Sequence, residues 1–188
     1  MIYVTADLDA AAARIDAELG LASVPGGRHE GLGTQNRIVP LGGGYLELMA
    51  VADAAEAAGS ELGRRVAAHL DDRGEGLFAW CVAVDDVDAH AARLGTGTMR
   101  IAREGLTARL TGLEQALEDP SLPFFITRDD AVPDPGLGAE AGGITWVEVG
   151  GDPDGVREHI GGADLPVRFA DGPPRVVAMG IGRRELRS

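Results

Sequence analysis

Apolar and polar side chains alternate along Tyr45-Leu46-Glu47-Leu48-Met49, so Leu46 and Leu48 face one way and Glu47 the other. The segment reads as a strand, and so do Ile2–Thr5, Asn36–Leu41 and Phe78–Val84. Gly42-Gly43-Gly44 marks a turn between two of them. After Asp7 the spacing changes: Leu8, Ala12, Ile15 and Leu19 fall on one helical face. Ala54–Leu70 predicts a connecting helix with Leu62, Val66 and Leu70 on one stripe. Weaker strands are expected at Met99–Arg103 and Leu106–Thr111. A polar stretch, Glu114–Ser121, precedes an apolar run, Leu122–Thr127. Asp129–Gly143, rich in Asp, Pro and Gly, predicts a loop. A strand at Ile144–Val149, a helix at Pro153–Ile160 and strands at Leu165–Phe169, Arg175–Met179 and Arg184–Arg187 complete the map.

This order contains a repeat. Asp7–Ile15 and Asp86–Leu94 align with identities at both aspartates, three alanines and the arginine, and each copy follows a predicted strand. Asp7 and Asp86 suit the N-cap position, where a carboxylate accepts otherwise unpaired backbone N–H groups. A strand and capped helix that occur twice imply a duplicated module. The expected divisions are a first module over residues 1–53, a connecting helix over 54–76, a second module over 77–130 and a third, partial one over 131–188.

Composition narrows the function. At 188 residues, 45% of them hydrophobic, the chain can build a substantial core; aromatics are only 4%, so aliphatic side chains must fill it. The net charge of −13 argues against nucleic acid and anionic membranes as partners. Every basic residue is arginine, which excludes a lysine Schiff base. The single cysteine, Cys81, excludes an intrachain disulfide and fits a reducing cytoplasm; it reads as a small core residue. No leader-like N-terminus and no run of about 18 apolar residues is present, so a cytoplasmic protein is expected.

The chemistry concentrates in Gly26-Gly27-Arg28-His29-Glu30-Gly31-Leu32-Gly33-Thr34-Gln35-Asn36, followed by Pro40-Leu41 and Tyr45-Leu46-Glu47-Leu48. A carboxylate on a strand of Tyr, Leu and Met is costly to bury unless a metal, a ligand or an arginine pairs with it. Gly31-x-Gly33 is not a phosphate loop, because no Lys-Ser/Thr pair follows. The segment resembles the glyoxalase-like domain, a branch of the vicinal oxygen chelate superfamily. The later Pro123-Phe124-Phe125-Ile126 run resembles it too, although Thr127-Arg128-Asp129 stands where the family has an acidic residue and tryptophan, so that end of the pocket is expected to differ.

The resemblance implies an α+β fold in which repeated βαβββ modules form a half-open β-barrel around a pocket. It places Glu47 where metal-dependent relatives supply a carboxylate ligand to a divalent ion, and makes Glu47 and His29 the candidate catalytic pair. Thr34 and Asn36 would bind substrate or close the loop, with Trp80 and Phe125 as core or pocket wall. Such relatives usually open with a first-strand histidine. That position would precede Met1, and its equivalent in the repeat is Ala79, which cannot ligate; either the true start lies upstream or the site has lost a ligand. His69, His90 and His159 are expected on solvated helix faces, and Glu148 and Glu185 on exposed strand faces or as further pocket acids. Two functions stay open. One is a lyase, isomerase or dioxygenase-type enzyme acting on a small oxygenated substrate, with or without metal. The other is a non-catalytic protein that sequesters a small molecule. A third option is a domain kept mainly for assembly: an odd number of modules would leave one sheet unpaired, which points to a homodimer.

Overall fold

The structure, a computed structural model, describes residues 1–103, 106–128 and 134–188. The first module runs β1 (Ile2–Val4), α1 (Leu8–Leu19), β2 (Val24–His29), β3 (Thr34–Pro40) and β4 (Tyr45–Val51). Two helices, α2 (Ala54–Ala58) and α3 (Glu61–Arg73), lead to the second module. This comprises β5 (Gly76–Ala79), β6 (Cys81–Ala83), α4 (Val87–Leu94), β7 (Met99–Arg103), β8 (Leu106–Thr111), α5 (Leu113–Glu118) and β9 (Phe124–Arg128). The third comprises β10 (Ile144–Gly150), α6 (Pro153–His159), β11 (Val167–Ala170), β12 (Arg175–Ile181) and β13 (Arg184–Arg187).

The repeat is structural. Asp7 accepts from the N–H groups of Asp9 and Ala10, and Asp86 from that of Ala89; caps of this kind contribute about 1 kcal/mol each. Both helices end on a left-handed glycine, Gly20 and Gly95. Pairing repeats as well: β1 lies parallel to β4 in the order β2-β3-β4-β1, and β6 lies parallel to β9 in the order β6-β9-β8-β7. The third module has the same element sequence, complete rather than partial, but other pairing. There β10 lies between β11 and β12, so the order is β11-β10-β12-β13.

Several elements differ from the sequence reading, each for a local reason. The connecting helix breaks at Gly59-Ser60, where Ser60 caps α3 by accepting from the Gly63 N–H. The strand expected over Phe78–Val84 divides at Trp80: β5 joins β1 in the first sheet, while β6 joins β9 in the second. Trp80 itself turns away to donate to the Ser121 carbonyl at 3.0 Å. Within the stretch read as polar, Leu113–Glu118 is a helix because Ala116 and Leu117 are buried against the second sheet's core. The loop expected over Asp129–Gly143 is described from Asp134 onward, and residues 129–133 lie outside the described residues.

Two cores share the first sheet. Alternation sends Leu46 and Leu48 to one face, where they are fully buried with Val39 and Leu41 against α1 and the third module's Val147, Val149, Met179 and Ile181. Each such leucine contributes roughly 1.5–3 kcal/mol of burial. The opposite face carries Ile2, Val4 and Met49, which meet Val66 of α3 and Ala108, Leu110, Phe124 and Ile126 of the second sheet. The first two sheets therefore pack face to face through this core without closing into a barrel. The third sheet is not left unpaired. It covers the outer face of the first, and Ser188 Oγ ties them by accepting from the Leu77 N–H at 3.0 Å. The sheet face from which a homodimer was expected is thus buried within the chain.

Candidate functional site

Register places the chemistry. His29 pairs with Thr34, Asn36 with Met49 and Ile38 with Glu47, so His29, Thr34, Asn36 and Glu47 all project from the face of the first sheet that meets the second. His29 stands on a strand rather than in a loop. β2 reaches this position through a register shift between Pro25 and Arg28. Gly26 and Gly27 permit it: a Cβ on Gly26 would lie 1.9 Å from Asn36 Oδ1. The turn after His29 is fixed from outside. Arg28 pairs with Glu56 at 2.5 Å, the Gly31 N–H donates to the same carboxylate, and Ser60 donates to the Leu32 carbonyl. Gly33, at φ 69°, packs so closely on Ala57 that a side chain would collide with its backbone.

The four polar side chains form one connected chain. Gly27 N–H, which can only donate, meets Asn36 Oδ1 at 2.8 Å and so fixes the orientation of the amide. Asn36 Nδ2 then points at Glu47 Oε1 at 2.5 Å and at His29 Nε2 at 3.2 Å. With an amide N–H on Nε2, the neutral imidazole carries its proton on Nδ1 and donates to Thr34 Oγ1 at 2.8 Å. His29 Nε2 lies 3.6 Å from Glu47 Oε1, close enough for an ion pair once the ring is protonated. Thr34 and Asn36 are buried, while the side chains of Glu47 and His29 keep 13% and 19% of their surface exposed. The polar network thus leaves the tips of Glu47 and His29 partly exposed.

Two residues not expected from the sequence complete the site. Tyr45 lies two positions before Glu47 on the same strand face, and its hydroxyl accepts from Arg128 Nη2 at 2.8 Å. Arg128 comes from the facing sheet, its guanidinium carbon 5.3 Å from the Tyr45 ring centre. Burial, followed by the negative charge of Glu47, pushes the Tyr45 phenol far above its ordinary range, which keeps it protonated. Cys81 faces the same space, and its thiol is pushed up to about 12, mainly by burial. It is a packing group rather than a nucleophile. The signal for Arg128 was strand parity: Phe124, Ile126 and Arg128 share one face of β9, and Thr127 points away to donate to the Val84 carbonyl.

Trp80 and Phe125 are not part of this site. Trp80 is buried in the outer core with α1 and the third sheet. Phe125, on the other face of β9, is covered by the rings of His90 and His159 at centroid distances of 4.6 and 5.6 Å. Of the three helical histidines only His159 is buried, while His69 and His90 stay partly exposed. His159 is buried and donates from Nε2 to the Pro123 carbonyl at 2.8 Å, and His69 meets Phe78 edge-on. Glu148 and Glu185 lie away from the concavity and pair with Arg187. A cavity of about 510 Å³ between α4 and α6 is lined by Arg93, Asp119, Asp152 and His159 and contains none of the site residues. Arg93 spends its donors there on the carbonyls of Glu158 and His159, so this cavity is a seam between modules.

A divalent ion needs at least three donors of suitable type. Among the described residues no cluster of three His, Cys, Asp or Glu side chains exists. His29 and Glu47 are two. Asn36 turns its amide nitrogen, not its oxygen, toward them, and the facing strands offer Phe124, Ile126 and the protonated Cys81. Among the described residues the donor set does not fit a resident metal.

Paired βαβββ sheets around a concavity with a polar cluster on β2, β3 and β4 define a protein of the vicinal oxygen chelate superfamily. The chain belongs to the glyoxalase-like domain family, whose model matches residues 1–160. It is similar in structure to a hypothetical protein from Staphylococcus aureus, with a TM-score of 0.69 and 18% identity over 95% of this chain and 87% of that one. It is similar also to methylmalonyl-CoA epimerase from Mycobacterium tuberculosis, with a TM-score of 0.49 and 19% identity over 68% and 83% of the two chains. The same holds for the Streptomyces coelicolor epimerase solved with 2-nitronate-propionyl-CoA, at 0.49 and 18% over 68% and 91%. No curated protein matches the sequence. Among the described residues no helix is long and apolar enough to cross a membrane.

Proposed function

We propose that the protein is an isomerase-type enzyme that moves a proton on a carbon next to a carbonyl of a small oxygenated substrate. The observation that carries this reading is the Thr34–His29–Asn36–Glu47 chain, which ends in a carboxylate and an imidazole side by side at the concave face. Glu47 takes the α-proton, and the electron pair of the C–H bond becomes that of an enolate. Asn36 holds the carboxylate in position, and His29 Nε2 is the neighbouring site to which the proton can pass before it returns to carbon. The Tyr45 hydroxyl and Arg128 are the donors within the same concavity that can meet the enolate oxygen. No step runs through a metal, because the donor set does not fit one.

The test is exchange of α-protons for deuterium, followed by NMR across α-hydroxy aldehydes, hydroxy ketones and 2-oxo acids. We expect exchange with the wild type, and a fall of about 10²-fold or more in Glu47→Gln. One observation favours a second reading, a protein that binds a small molecule without turnover: the side chains beside the polar cluster on the two facing sheets, Ile38, Met49, Leu110 and Ile126, are all apolar. Saturable binding without exchange of any α-proton would select it.

A further inference from the structure

We infer that Arg128 is the docking point for a substrate carboxylate, so that the class of ligand is a small oxygenated carboxylic acid such as a 2-oxo or 2-hydroxy acid. This identifies the ligand of the site proposed above and rests on that concavity being the binding site, but not on turnover.

Arg128 is partly buried on the concave face of β9, and among the described residues no carboxylate lies within ion-pair distance of it. The ion pairs formed by other arginines, at Glu56, Glu61, Glu75 and Asp88, all lie elsewhere. A guanidinium partly withdrawn from water without a counter-charge is costly, and it presents five donors in a flat fork suited to a carboxylate. Tyr45 accepts from one nitrogen and lies beneath the group, which holds the fork while leaving other donors for a ligand. Glu47 lies on the same side as Tyr45, two residues along the strand, about 7 Å by strand geometry. A carboxylate on Arg128 would therefore set the adjoining carbon and its oxygen toward Glu47 and His29. A small neutral sugar or aldehyde would leave the guanidinium without a counter-charge.

A phosphate could present similar oxygens. The single guanidinium, the neighbouring carboxylate of Glu47 and the chain's net charge of −13 favour the monoanion over a dianion.

The experiment is equilibrium binding by calorimetry and ligand-observed NMR, using pyruvate, glyoxylate and lactate, their uncharged counterpart hydroxyacetone, and inorganic phosphate. The proteins are the wild type, Arg128→Gln, Arg128→Lys and Glu47→Gln. We expect the carboxylates to bind the wild type and to weaken about tenfold or more in Arg128→Gln. Arg128→Lys should recover part of the loss, and hydroxyacetone should respond to neither change. Binding that persists in Glu47→Gln while exchange is abolished would separate docking from proton transfer. Retention of carboxylate binding in folded Arg128→Gln would overturn the inference. So would failure of every carboxylate to bind the wild type, or phosphate binding as tightly as they do. A cooperative thermal transition in each variant establishes that it is folded.

Discussion

The Asn36 amide bridges two strands: its oxygen accepts from the Gly27 N–H at 2.8 Å and its nitrogen donates to Glu47 Oε1 at 2.5 Å. The first contact fixes the second. Because the amide cannot turn over without setting its NH2 group against the Gly27 N–H, Glu47 always sees a donor.

Asn36→Asp keeps the shape and removes that donor. It places two carboxylates within hydrogen-bond distance, which raises the proton affinity of one of them. A carboxyl whose folded pKa is raised above its unfolded value is stabilising below the unfolded pKa, and that stability is lost as pH rises through the folded one. We expect Asn36→Asp to be destabilised by about 1–3 kcal/mol at pH 7 and to approach wild-type stability as the pH falls toward about 4. Urea denaturation at both pH values measures this, and a pH-independent deficit would show that the contact is not electrostatic.

Gly26 is required by space. Its Cβ would meet Asn36 Oδ1 at 1.9 Å and the Asn36 carbonyl oxygen at 2.6 Å, the second belonging to backbone that cannot step aside. Gly26→Ala should lose about 1–3 kcal/mol and displace β2, which carries His29. Chemical-shift changes at His29 and Thr34 would report the displacement. An alanine variant with wild-type stability and unchanged shifts at these residues would mean that the bulge can re-form without the glycine.

Periodicity made the strand–helix repeat and the face of Glu47 legible in the sequence, while the βαβββ arrangement and the role of Glu47 came from the resemblance to the glyoxalase-like domain. The alternation in Tyr45–Met49 assigns Glu47 to one face, and the repeated Asp-capped helix announces the module. The partnership of His29 with Asn36 was hidden, since it depends on a bulge at Gly26-Gly27 that moves β2 relative to β3. Arg128 was hidden for another reason: its meaning comes from Tyr45, 83 residues earlier and on the opposite sheet. Trp80 and Phe125 show the reverse failure. An aromatic on a strand is apolar on either face, so composition cannot say which core it enters, and both entered cores away from the concavity.

With two ligand-type side chains among the described residues of this face, a divalent ion has too few donors for a tight site. We expect calorimetric titration with Zn²⁺, Mn²⁺, Co²⁺ and Ni²⁺ to detect no stoichiometric binding that Glu47→Ala abolishes. Elemental mass spectrometry after incubation and desalting should agree. One equivalent of metal lost in Glu47→Ala would mean that further donors join the pair.

His159 joins the second and third modules, and its charge state sets how firmly. Its ring is enclosed by Phe125, the Pro123 carbonyl and Arg93, with Asp119 the nearby acid. Burial, outweighing the Pro123 carbonyl, lowers its pKa below the ordinary histidine value, and Arg93 adds to the effect. A group whose folded pKa is depressed stabilises the fold above its unfolded pKa and loses that contribution as pH falls through the folded one, because the unfolded chain then binds more protons. Stability should therefore decline as pH falls below about 6.5. His69, half-buried against Phe78 with its pKa likewise lowered by burial, contributes in the same direction. His159→Gln can retain a donor to the Pro123 carbonyl but cannot ionise. We expect it to flatten the slope of urea midpoint against pH between 7.5 and 5.5 without reversing it, the remainder being due to His69. A slope identical to that of the wild type would show that His159 does not titrate in this range.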